Sequence, residues 1–116
     1  EGLRALLPGL RASLAGRNVR LCGSDHYLQR LQASAEQRPL PIAECCPGER
    51  FLFIDESGRV APCSFTQDDY GVALADLKDL RDLLDLPSRY RAARAAAKAP
   101  ACGDCPSNHM FEKFTV

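Results

Sequence analysis

The sequence has no net charge: fifteen Lys and Arg residues balance fifteen Asp and Glu. That balance exerts no net pull on nucleic acid or on an anionic membrane surface, so neither is an expected partner. No apolar run approaches the roughly 20 residues that span a bilayer, which excludes a membrane helix from the expectation. There is no internal repeat, and the only biased stretch is the Ala- and Arg-rich segment Ser88–Lys98. The cysteines, six in 116 residues, fall short of the density of a disulfide scaffold. Glu stands at position 1 in place of Met, and the expectation is a piece processed or excised from a longer chain.

What is present is enough for a small core. Hydrophobic residues make up 46% of a length that fits one domain, or one domain with a fragment of its neighbour. A chain of this size buries only about two-thirds of its unfolded surface, so a cross-link or a metal would add appreciably to stability.

Leu3, Leu6, Leu7, Leu10 and Leu14 recur at helical spacing over residues 2–15, with Pro8 predicting a kink or a restart. Val19 to Cys22 reads as a short buried strand, which makes Cys22 a small core hydrophobe. Ser24 or Asp25 caps a second helix over about 25–37, with Tyr27, Leu28 and Leu31 on its apolar face. This helix–strand–helix pattern over residues 1–41 is that of the last repeat of a partial α/β barrel, closed by the linker Pro39-Leu40-Pro41. Residues 42–116 follow as a second domain. FLFID (51–55) and RVAPC (59–63) flank Glu56-Ser57-Gly58, a β-hairpin signal. Thr66 to Gly71 reads as a polar loop. Leu74, Leu77, Leu80, Leu83 and Leu84 predict an amphipathic helix ending near Pro87, and Ser88–Lys98 a final helix stopped by Pro100. The expected class is α+β: a small metal-binding domain with a two-stranded hairpin followed by helices, behind a barrel remnant.

The cysteines carry the chemistry. Cys102-Gly-Asp-Cys105 is a C-x2-C loop, a spacing that aims two sulfurs at one point. It follows a helix and precedes Pro106, unlike a thioredoxin-type redox pair, which opens a helix after a strand. Pairing the two hairpin strands returns Cys63 to the open end, close to the vicinal pair Cys45 and Cys46. Adjacent residues of an extended chain face opposite ways, so one member of that pair is the expected ligand. Four thiolates suit an iron–sulfur cluster or a tetrahedral zinc ion; disulfides are the third reading.

The same residues resemble a known family. Cys45, Gly58 and Cys63 in ECCPGERFLFIDESGRVAPC, followed by Cys102-Gly-Asp-Cys105, are similar to the auxiliary-cluster region of radical SAM enzymes, called SPASM in its long form and twitch in its short one. The resemblance covers about residues 45–110. It places Cys45 on the ligand position and Cys46 on the variable one, with Cys46 as the substitute. It implies a single 4Fe–4S cluster on Cys45, Cys63, Cys102 and Cys105, because no further cysteine follows. It also implies electron relay and closure of a substrate pocket. The C-x3-C-x2-C that binds the catalytic cluster and S-adenosylmethionine is absent from the sequence. The implied partner is therefore an N-terminal radical SAM core of the same polypeptide, with a peptide or small-molecule substrate, in the cytoplasm. Pro47 is a minor departure from the family's small residue.

Other candidates have blander readings. His109 follows Cys105 at a spacing compatible with zinc, but a surface histidine is the expectation once a fourth cysteine is available. His26 is expected as a surface or capping residue. Asp55 and Glu56 are expected to be solvated turn carboxylates. Arg89, Arg91 and Arg94 are expected on a solvated helix face.

Overall fold

Gly58 takes a positive φ of 76°, and the turn it makes organises the sheet. The Asp55 carboxylate caps this turn, accepting from the Ser57 N–H, the Ser57 hydroxyl and the Arg59 N–H at 2.8–2.9 Å. Strand β1 (Phe53–Ile54) thereby pairs antiparallel with β2 (Arg59–Ala61), Phe53 opposite Ala61 and Ile54 opposite Val60. A third strand, β3 (Val72–Ala73), pairs with the other edge of β2, Val72 opposite Val60. The expected two-stranded hairpin is thus a three-stranded antiparallel sheet with β2 central. Two residues are too short a strand to show any alternation in sequence.

The computed structural model describes residues 2–113. Its backbone divides into two compact units, one of residues 41–107 and the other of residues 2–40 with 108–113. Among the described residues no helix is long and apolar enough to cross a membrane.

In the 41–107 unit the sheet is followed by helix α3 (Gln67–Tyr70), by a 3₁₀ turn at Leu74–Asp76 and by helix α4 (Leu80–Ala96). Within the expected polar loop Thr66 to Gly71, residues Gln67–Tyr70 are therefore helical, because Tyr70 is buried in the core and draws the segment inward. Asp79 caps α4, accepting from the N–H groups of Arg81 and Asp82. One helix replaces the two expected on either side of Pro87. Pro87 removes the N–H that would bond the Leu83 carbonyl, and burial of Leu86 and Tyr90 on either side holds the helix through it.

The core comprises Val60, Tyr70, Leu86, Tyr90 and Ala99, with Leu52, Val72, Leu77, Ala93 and Cys102 packed on it. The face of α4 that packs inward is thus Leu86, Tyr90 and Ala93, spaced i, i+4, i+7. The leucine stripe read from the sequence is mostly outward: Leu80 and Leu84 are each 67% exposed. The helix starts at Leu80 instead of Leu74, and that shift rotates the face.

In the other unit α1 (Gly2–Ala15) runs unbroken across Pro8, and α2 (Asp25–Ala35) is capped by Ser24, which accepts from the Tyr27 N–H. No strand forms from Val19 to Cys22; Val19 and Cys22 are exposed, so Cys22 is not a core residue. A lone strand in this unit has no neighbour to satisfy its backbone. The residues buried on α2 are Arg30 and Ala33, not the expected Tyr27, Leu28 and Leu31, which are half-buried. Fully buried Phe111 supplies the reason. Its carbonyl accepts from the Ser24 hydroxyl at 2.8 Å, the His26 ring meets its ring edge-on at 4.8 Å, and the Arg30 guanidinium lies over it. His26 is accordingly a packing residue.

Candidate metal centre

All six cysteines are thiols, and no disulfide joins any of them. Five lie in the 41–107 unit, all half-buried, and the four expected ligands among them are each set by a different local device. Cys45 stands on the segment leading into β1. Two positive-φ residues, Cys46 at 45° and Gly48 at 79°, turn the chain just after it. Gly48 presses against Tyr90 so closely that a Cβ there would lie 2.8 Å from the ring. Cys63 follows β2 by two residues. Cys102 sits in a 3₁₀ turn (Pro100–Gly103), where its N–H donates to the Ala99 carbonyl, and Cys105 lies just beyond.

Three of these thiols lie within electrostatic reach of Cys45. Burial pushes the Cys45 thiol up from its ordinary value, the nearby Arg94 charge opposes the rise, and Cys102, Cys105 and Cys63 each add to it. Among the described residues, no three His, Cys, Asp or Glu side chains close on a point as they would around one metal ion. His109 is exposed and belongs to the other unit.

Three polar side chains surround the thiols, and none was singled out by the motif. Thr66 stands at the N-terminus of α3 but makes no side-chain cap; its buried hydroxyl instead lies 3.2 Å from Cys63 Sγ. The Tyr70 hydroxyl donates to the Ala97 carbonyl at 2.9 Å and accepts from the Ala99 N–H at 2.6 Å, near the Cys102 thiol. Burial pushes Tyr70 upward, with the Ala99 N–H opposing and Cys102 adding. Arg94 is the third. It donates from Nη2 to the Ile42 carbonyl at 2.7 Å and from Nη1 to the Ala43 carbonyl at 3.1 Å. Burial works against its charge, but Cys102 and Cys45 nearby hold it above its ordinary value.

The expectation of a solvated face therefore holds for Arg89 and Arg91, both exposed, the latter paired with Glu49. It fails for Arg94, which falls four residues after Tyr90 and so on the inward side of α4. That interval was the available signal. For Thr66 and Tyr70 the signal was their nearness to Cys63, three and seven residues on.

The donor set suits a soft metal. Neighbouring half-buried thiols would repel one another as thiolates, and a positively charged metal centre would offset that repulsion and favour the deprotonated form. Arg94 also has a buried Nε without a partner among the described residues, a donor that an anionic group in the centre would satisfy.

Comparison with known protein families, with curated proteins and with solved structures found no match for this chain.

Proposed function

We propose that residues 41–107 bind a 4Fe–4S cluster through Cys45, Cys63, Cys102 and Cys105, as the auxiliary-cluster domain of a radical SAM enzyme. The observation that carries the reading is that Cys63, Cys102 and Cys105 all lie near enough to Cys45 to act on its thiol. A cluster is preferred to zinc on the soft thiolate donor set and on the family resemblance. The SPASM-like order of Cys45, Gly58, Cys63 and Cys102-Gly-Asp-Cys105 supports the family.

With all four irons ligated by cysteine, a bound cluster supplies one-electron transfer and leaves no iron open to substrate. The chain's own part is to hold the thiols and tune them. Thr66 hydrogen-bonds Cys63, while Tyr70 and Arg94 lie near Cys102. In this reading the radical SAM core, with its S-adenosylmethionine, lies on the same polypeptide. A peptide or small molecule is the substrate, and the reducing cytoplasm keeps the thiols available.

Anaerobic reconstitution with iron and sulfide tests the proposal. Brown absorbance with stoichiometric iron and sulfide, lost in Cys63→Ala, is expected. Stoichiometric zinc without iron in protein purified anaerobically would replace it with a structural zinc module.

A further inference from the structure

We propose that Arg94 is a positioning residue of this centre, clamping the segment that leads into Cys45 to α4. Two guanidinium nitrogens hold successive carbonyls, Ile42 at 2.7 Å and Ala43 at 3.1 Å, three and two residues before Cys45. The same guanidinium lies near the Cys45 and Cys102 thiols. One planar fork on α4 thus holds a loop whose carbonyls lie 52 and 51 residues earlier in the sequence. Arginine suits the task because its donors are fixed in one plane, and lysine offers a single point charge in place of the fork. The loop before β1 has no ladder of its own until Phe53, so this bond pair is what ties its first residues to α4.

The charge has a second consequence, which rests on the cluster reading. A cation beside a buried cluster stabilises its reduced, more negative form, so Arg94 raises the reduction potential as well as setting the geometry. Clamp and charge are separable. Lysine keeps the charge and loses the fork; glutamine loses the charge.

The experiment uses the full chain with Arg94→Lys and Arg94→Gln. In the metal-free, reduced protein, hydrogen–deuterium exchange over residues 41–46 should lose protection in both variants, with the α4 core unchanged. After anaerobic loading, a redox titration should place Arg94→Gln at a more negative potential than wild type, with Arg94→Lys close to wild type. Unchanged exchange over 41–46 in both variants overturns the clamp; equal potentials in Arg94→Gln and wild type overturn the charge role. Wild-type protein that takes up no iron removes the cluster reading alone, and the exchange measurement still decides the clamp. If Arg94→Gln fails to fold, Arg94→Lys carries the same exchange comparison.

Discussion

The hydroxyl of Tyr90 donates to the carbonyl of Val60 at 2.6 Å, and both residues are 1% exposed. That bond ties α4 to the central strand of the sheet, and so ties the elements that bracket the cysteines. Removing the hydroxyl leaves a buried carbonyl without its donor. Tyr90→Phe should cost about 1–3 kcal/mol, read as a lower urea midpoint in the metal-free, reduced protein. Burial also pushes the Tyr90 hydroxyl above its ordinary value of 10.0. The unfolded chain releases that proton first, so wild type loses stability as pH climbs from about 10 through the folded value, and Tyr90→Phe lacks this part of the loss.

Gly48 lies on the other side of Tyr90, at φ 79° with no room for a Cβ. Gly48→Ala adds the left-handed penalty of about 1–2 kcal/mol to a displaced tyrosine ring. The variant should melt earlier and take up less iron per chain. Wild-type melting and loading would show that the Cys45 turn does not depend on this contact.

Under the proposed function the vicinal pair separates by role. Cys46→Ala should load like wild type, whereas Cys45→Ala should lose the brown absorbance and the stoichiometric iron. Iron and sulfide analysis of the two variants side by side decides it. Equal loading of both would mean that either thiol can serve.

Asp55 governs acid behaviour in the hairpin. The Arg59 N–H and the Ser57 hydroxyl hold its carboxyl below its ordinary value of 3.8. The unfolded chain takes up the proton first, so this contribution is complete above about pH 4 and is lost as pH falls through the folded value. Asp55→Asn should lower stability at neutral pH and flatten the decline below pH 4, measured as chemical-denaturation midpoints across pH.

Thr66 tests whether support of Cys63 matters. Its hydroxyl is buried and pairs with sulfur in place of the α3 backbone. Thr66→Val keeps the shape and removes the bond, so the fold should stay within about 1 kcal/mol of wild type. The potential of the loaded centre should shift to more negative values, since a hydrogen bond to sulfur stabilises the reduced form. An unchanged potential would count against that role.

The turn at Asp55–Gly58, the strands on either side and the Ser24 cap were legible because each rests on neighbours in sequence. A glycine at a positive-φ turn, a hydroxyl before a helix and a C-x2-C loop act within a few residues. The leucine stripe at 74–84 misled for the complementary reason. Which face of a helix is inside depends on where the helix starts and what meets it, and Tyr70, Val60 and Ala99 meet α4 at Leu86 and Tyr90. The strand expected at Val19–Cys22 failed likewise, since a strand exists only with a partner. Pro87 marked no boundary because packing on both sides outweighed one missing hydrogen bond.

For the centre itself, sequence alone determined the four thiols and their order along the chain, because ligand type and loop spacing are local. Tertiary structure decided what surrounds them. Thr66, Tyr70 and Arg94 reach Cys63 and Cys102 only once α3 and α4 have packed on the sheet. The guanidinium that looked like one more solvated charge is drawn inward by two carbonyls fifty residues away, and no local pattern encodes a contact of that range.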